Sequence, residues 1–307
     1  MYDLIIAGGG PAGSAAAIYA ARKQLKTLFI TDEWGGQSNV SPDIQNWVGT
    51  KSISGADLAK ALKEHVSAYA GEILTLKSGK AVSVAGSNDS VTVTFSDKTT
   101  ASARALFVAT GSMRRKLEVP GAAEFDQKGL TYCATCDGPL FSGKDVAVIG
   151  GGNAAFETAA QLLAYTKSVT LFNRSDVFRA DEVTVAKVLA HPKMKAIKNA
   201  EPLEVLGEKF VKGLKWRDVL TKEEQTLPVE GIFVEIGLLP NTAWLGDSVN
   251  LTPIKQVIVD PRTQKTSHPR IWAAGDCTDG IYHQNNIAAG DAVKALEDVY
   301  MSLHMEK

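Results

Sequence analysis

No apolar run in this sequence approaches the ~20 residues needed to cross a bilayer. The apolar segments, such as residues 4–7 and 146–149, are strand-sized, so no membrane span is expected. An excess of charge of one sign is also missing: 33 Lys and Arg stand against 34 Asp and Glu, a net charge of -1. Without a basic arm or stripe to neutralise phosphates, nucleic acid is not an expected partner. Cysteine is scarce, with three in 307 residues, two of them a close pair. That is too few for a secreted disulfide scaffold and fits a reducing compartment, where such a pair does redox or metal work. A strand-like run begins at Leu4, leaving no room for a signal peptide. A cytoplasmic location is therefore expected. What is there is an ordinary globular composition, 45% hydrophobic, long enough for about two domains with their own cores.

A repeat organises the chain. Leu4-Ile-Ile-Ala-Gly-Gly-Gly-Pro-Ala-Gly13 is echoed by Val146-Ala-Val-Ile-Gly-Gly-Gly-Asn-Ala-Ala155, so that Gly8, Gly10 and Gly13 recur at a constant offset as Gly150, Gly152 and Ala155. Each copy follows an apolar run and opens an alanine-rich segment that reads as a helix, over 14–22 and 154–164, before a second strand at 27–30 and 169–172. Strand, glycine turn, helix, strand is the context that a dinucleotide fingerprint requires. The first glycine permits the tight turn, the second lets backbone approach a pyrophosphate, and a small third residue lets helix pack on strand. Backbone N–H groups at the helix start then face the phosphates. Strands ending at glycine follow at 107–111 and 233–237. A further one at 271–276 precedes a helix expected over about 284–300.

Between the two glycine turns lies Thr131-Tyr-Cys-Ala-Thr-Cys-Asp-Gly138. Two thiols at this spacing close a small, readily exchanged disulfide. Zinc would need two further ligands, and the only other cysteine is Cys277, which reads as a small buried hydrophobe. No metal site is expected. Asp137, beside a dithiol that gains and loses protons, is either a general acid or a surface turn residue. His65, His191, His268 and His304 lack metal spacing and read as surface or satisfied positions. Residues 207–218 alternate charged with apolar side chains and read as a solvated hairpin face.

Gly8 to Gly13, Gly35-Gly-Gln37, Ile44-Gln-Asn-Trp47, Ala109-Thr-Gly111, Cys133-Ala-Thr-Cys-Asp137, Gly150-Gly-Gly-Asn153, Phe178-Arg-Ala180 and Gly275-Asp276, in this order, resemble the low-molecular-weight thioredoxin reductases and the flavoprotein part of alkyl hydroperoxide reductases. Lys128-Gly-Leu-Thr-Tyr-Cys133 and Ile236-Gly-Leu-Leu-Pro-Asn-Thr242 are more similar to the second branch, which carries an extra thioredoxin-like region not found among these 307 residues. The resemblance implies an α/β fold of two Rossmann-like, three-layer nucleotide-binding domains, the second inserted into the first. An FAD domain would span 1–112 and 245–307, and an NAD(P)H domain carrying the redox pair 113–244. FAD would be held by Gly8, Gly10, Pro11, Ala12 and Gly13, by Asp32, Gly36, Gln37 and Asn46, by Ala109, Thr110 and Gly111, and by Gly275, Asp276, His283, Gln284 and Asn285. The nicotinamide cofactor would meet Gly150, Gly152, Asn153, Ala154, Arg174 and Arg179. Cys136 would take electrons from the flavin, Cys133 would attack the disulfide of a thioredoxin or thioredoxin-like protein, and Asp137 would supply the proton. A homodimer is implied, as is a rotation of the second domain about linkers at 113–116 and 241–244.

The donor is where the sequence departs from the family. NADPH users carry a His-Arg-Arg run and a following Arg to clamp the 2′-phosphate; here Asn173-Arg174-Ser175 and Arg179 supply half of it. NADH users place an acid at the end of the second strand, where Asn173 stands. NADPH and NADH both remain open as donors. His283 replaces a permanent cation before the last helix, and since some relatives take electrons from ferredoxin, that donor is a further alternative. An NAD(P)H oxidase that passes flavin electrons to oxygen is another. A non-catalytic redox sensor or scaffold is the least favoured alternative, since the complete set of Gly8 to Gly13, Cys133, Cys136, Asp137 and Asp276 has no reason to coexist in a scaffold, whereas turnover requires all of it.

Overall fold

A computed structural model describes residues 1–41 and 43–304. The chain forms two compact units, Met1–Met113 with Leu239–Lys307, and Arg114–Leu238.

In the first unit, Leu74–Ser78, Thr27–Trp34, Tyr2–Gly9 and Thr100–Val108 run parallel in that spatial order. Leu4, Ile5, Ile6, Leu106, Phe107 and Val108 are all fully buried, as expected of parallel strands covered on both faces. Ile271–Ala273 adds in parallel to the second half of Thr100–Val108, while Val91–Phe95 pairs antiparallel with its first half and Ala81–Gly86 pairs antiparallel with Val91–Phe95. The helices Pro11–Arg22, Gly55–Ser67 and Asn285–His304 cover one face. Ala16, Ala17, Ala20 and Ala21 share that core with Ala292, Ala295, Leu296 and Val299, and the small side chains let helices and sheet approach closely. Val91, Val93 and Phe95 belong to the core on the opposite face. The first helix starts at Pro11, earlier than the expected residue 14, because proline is preorganised for the first helical turn. The last begins at Asn285.

In the second unit, Met194–Ile197, Ser168–Phe172, Asp145–Ile149, Gly231–Val234 and Leu130–Thr131 form a wholly parallel sheet. The strand order reverses about Asp145–Ile149, which is where the carboxyl ends of such strands open a ligand crevice. A separate antiparallel sheet joins Ala200–Gly207, Val211–Asp218 and Glu224–Pro228. Residues 207–218 do make the hairpin, but its face is not simply solvated. Val211, Leu214 and Trp216 are buried, and Trp216 packs edge-on against Phe172 with ring centroids 5.6 Å apart. Period-two alternation puts Leu214 and Trp216 on one side of the ribbon, and the irregular register between Leu206 and Gly207 brings Val211 to the same side.

The two connections between the units, Ser112–Arg114 and Leu238–Pro240, pair as a two-stranded ribbon. The chain re-enters the first unit at Leu239 rather than at residue 245. Asn241 is what draws it in: its backbone N–H donates to the Gly111 carbonyl (2.9 Å), its side-chain amide donates to the Thr110 carbonyl (3.0 Å), and the Thr110 hydroxyl donates to the Asn241 carbonyl (2.7 Å). Among the described residues no helix is long and apolar enough to cross a membrane.

Candidate active site

In the first unit the glycine turn is held by two close approaches. Gly8 has φ +118°, and a methyl group there would lie 2.1 Å from the Ala109 carbonyl oxygen; one on Gly13 would lie 1.8 Å from the carbonyl of Gly8. Gly10 is different, since a methyl group there would find only the Gly36 Cα, 3.9 Å away. The turn is thus closed behind and open in front, which is the cradle a pyrophosphate needs. Gly275 packs where added bulk would sit 3.3 Å from the Ala12 methyl and 3.4 Å from that of Ala288, so the Gly275-Asp276 turn lies against two helix starts.

Polar side chains from distant segments meet around this turn. Gln37 donates to Asp276 (3.0 Å) and to the Ser112 hydroxyl (3.2 Å). Ser38 donates to Asn285 (2.8 Å), Asn46 to Gln284 (3.0 Å), and Asn286 to the Asn46 carbonyl (2.6 Å). Ala109 closes the strand end by donating its N–H to Ala7. The ring Nε2 of His283 is buried with no hydrogen-bond partner among the described residues. Asp32 is not part of this cluster; its exposed carboxylate pairs with Lys80 at 3.0 Å. Ser38, Ser112 and Asn286 had no signal in sequence spacing, because only the fold brings them together.

In the second unit Gly150 has φ +146°, whereas a methyl group on Gly152 would meet nothing within 4 Å. The turn is braced by the segment that follows the second strand. The Arg179 N–H donates to the Gly151 carbonyl (2.7 Å), and Asn153 accepts from the Asp181 N–H (2.8 Å). Ala154 lies exposed in the first turn of Asn153–Leu163. Asn173, at the place where NADH users carry an acid, is turned inward. It is buried, and its side-chain amide donates to the carbonyls of Ser175 (2.9 Å) and Val177 (3.0 Å). Arg174 and Arg179 are exposed. Near them, Phe178, Ala180 and Val185 line a cavity of about 290 Å³ shared with Lys198, whose Nζ lies 4.9 Å from the Phe178 ring centroid. Glu235, just beyond the strand next to the turn, accepts from Arg114 (3.2 Å) and Thr158 (2.9 Å). Burial pushes its carboxyl above the usual range, against the pull of Arg114.

Cys133 and Cys136 form a disulfide, with Cα atoms 5.3 Å apart. Cys133 caps the short helix Ala134–Asp137, and its Sγ accepts from the Cys136 N–H at 3.2 Å. Asp137 is not a surface residue, being only 6% exposed. Its Oδ2 accepts from the Thr131 hydroxyl, which itself accepts from the Cys133 N–H (3.2 Å). Its Oδ1 is buried without a partner among the described residues. Burial raises the Asp137 carboxyl above its ordinary range; the bond from Thr131 and the charge of Arg114 oppose it. A buried acid whose hold on a proton is strengthened by burial, beside a disulfide, is suited to protonate a departing thiolate. Cys277 is fully buried and its thiol is pushed up to about 12 by desolvation, so it is inert. Of the four other histidines, His65 and His304 are exposed, His191 accepts from the Lys193 N–H and His268 from the Arg270 N–H.

Residues 2–292 match the pyridine nucleotide-disulphide oxidoreductase family. The chain is 42% identical over 295 residues to the F subunit of alkyl hydroperoxide reductase of Pseudomonas putida, covering 96% of this chain and 56% of that protein. It therefore spans little more than half the length of the curated relatives it matches. A thioredoxin reductase from Streptococcus pyogenes MGAS5005 superposes with a TM-score of 0.89 at 32% identity over 99% of both chains. One from Giardia duodenalis gives 0.91 at 30% identity over 98% of both.

Proposed function

The chain belongs to the pyridine nucleotide-disulphide oxidoreductase family, and from that premise we propose that it carries electrons from a nicotinamide donor through FAD and the Cys133–Cys136 pair to the disulfide of a thioredoxin or thioredoxin-like protein. It is an oxidoreductase whose family cofactors are FAD and NAD(P)H. FAD, when bound, supplies two-electron exchange between a nicotinamide and a disulfide. The open front of Gly10 and the unpartnered Nε2 of His283 fit such a group in the first unit. Backbone at Gly8, Gly10, Pro11, Ala12 and Gly13 would hold its pyrophosphate, with Gln37, Asp276 and the Asn46–Gln284 pair around the remainder. Gly150, Gly152, Asn153 and Ala154 would hold the nicotinamide dinucleotide, and Arg174 and Arg179 would meet its adenosine end.

One observation carries the reading. The Cys133–Cys136 disulfide sits in the same unit as the second nucleotide turn, beside a buried carboxyl with one unpartnered oxygen. A hydride equivalent and one proton open the disulfide to two thiols, and Asp137 supplies the proton. Cys133 then attacks the carrier disulfide, Cys136 closes the bond again, and the carrier leaves as a dithiol. The connections Ser112–Arg114 and Leu238–Pro240 would act as the hinge that lets the pair serve both steps.

Anaerobic titration of the yellow protein with NADPH and, separately, NADH tests the donor, with bleaching of the oxidised flavin band by either as the expected result. Bleaching by neither, with dithionite still effective, would refute nicotinamide use and point to ferredoxin or another flavoprotein. Cys133→Ser is expected to keep the bleaching and abolish carrier reduction. Carrier reduction that survives it would refute the dithiol path, and oxygen consumption that survives it would favour an oxidase.

A further inference from the structure

We propose that Thr131 is a positioning residue of the redox pair, its hydroxyl joining the Cys133 amide to the Asp137 carboxyl and holding that acid beside the disulfide. This rests on the reading of Asp137 as the acid of the disulfide step. Three bonds carry it. The Cys133 N–H donates to Thr131 Oγ1 (3.2 Å), Thr131 donates to Asp137 Oδ2, and the Asp137 N–H donates to the Cys133 carbonyl (3.0 Å). Thr131, 3% exposed, is the last residue of the strand Leu130–Thr131, so the rigid sheet edge fixes the acid. Because Oδ2 is engaged by Thr131, the unpartnered Oδ1 is left to exchange the proton.

The step balances. The S–S bond breaks, two S–H bonds form from a hydride equivalent and one proton, and Asp137 is left as a carboxylate. The Thr131 bond is then charge-assisted, and such bonds are about twice as strong as neutral ones. Thr131 thus eases release of the proton from a site whose burial favours keeping it. The charged groups that act on Asp137 are Arg114, from the strand Ser112–Arg114, and Asp126, ahead of the strand Leu130–Thr131 and paired with Lys116. Packed nearby are two uncharged groups: Gln161, which bonds the Ala134 carbonyl, and the Tyr165 phenol over Gly138.

The test uses the full-length flavin-loaded protein with Thr131→Val, Thr131→Ser and Asp137→Asn. The titration midpoint of the protonated Asp137 carbonyl is read by infrared difference spectroscopy, with Asp137→Asn to assign the band, and the alkaline limb of disulfide reduction is read alongside. Thr131→Val removes a bond that favours the carboxylate, so midpoint and limb both move to higher pH by about one unit. Thr131→Ser keeps the bond and leaves both where they were. A folded Val variant with an unmoved midpoint overturns the inference, as does a Ser variant that moves like Val. Should the Val variant fail to fold, Thr131→Ala takes its place in the same measurement. Full activity in Asp137→Asn would instead overturn the parent reading, while the midpoint shift still reports on Thr131.

Discussion

Arg114→Ala should destabilise the second unit in a pH-dependent way, because it strands a buried carboxylate. Glu235 is 8% exposed and Arg114 32%. Their 3.2 Å bond and the one from Thr158 compensate the loss of water around the acid. Removing one partner of a fully buried pair costs about 3–5 kcal/mol, and the partial exposure of Arg114 reduces this to about 2 kcal/mol at neutral pH. Burial already raises Glu235 above its ordinary value and Arg114 lowers it, so in the variant its affinity for a proton climbs further. A folded-state pKa raised above the unfolded one gives stability that is complete below the unfolded value and lost as pH rises through the folded value. The deficit should therefore shrink as pH falls towards the unfolded-state value, where Glu235 takes up a proton and needs no cation, and grow to its full size as pH rises through the raised folded-state value. Hydrogen exchange of the strand Gly231–Val234, followed by mass spectrometry across that range, reads the second unit alone. Exchange about thirtyfold faster than in the parent at neutral pH, converging at acid pH, is expected. Glu235→Gln should remove most of the pH dependence. A deficit that is equal at all pH values, or that persists in the Arg114→Ala/Glu235→Gln double variant, would refute the argument.

Asn173→Asp, the change that would install the ribose-binding acid of an NADH user, should weaken the protein instead. A carboxylate would face the Ser175 and Val177 carbonyls to which the amide now donates; a loss of about 2–3 kcal/mol is expected, and an unchanged melting temperature with a new NADH preference would contradict it. Cys277 should resist alkylation in the folded, reduced protein, where its thiol is fully buried and pushed up to about 12; mass spectrometry should find two labelled cysteines natively and three in denaturant.

The parts of this molecule that could be read from the sequence are those in which local chemistry and fold make the same demand. The two glycine turns repeat because each must close behind, at Gly8 against Ala109 and at Gly150 against Glu235, while staying open in front, at Gly10 and Gly152. That requirement is written in consecutive residues. The redox pair is legible for the same reason, since Cys133 caps the helix that carries Cys136. The environment of the acid was not legible. Whether Asp137 is a surface turn residue or a buried acid depends on Thr131, on the sheet edge and on Arg114, which a sequence window does not connect. Asn173 misleads for a related reason: at the end of its strand it occupies the place of a ligand-binding acid, yet Gly151 leaves room for its side chain to turn inward, where it shapes the segment 174–179. The hairpin at 207–218 reads as solvated because its charges alternate with apolar residues, and the same alternation is what buries Leu214 and Trp216. A polar residue in a motif position therefore declares its chemistry only once its hydrogen-bond partners are known. For Asn173 those partners are backbone carbonyls, which assigns it to the architecture of the segment 174–179 and leaves the side chains of Arg174 and Arg179 exposed beside it.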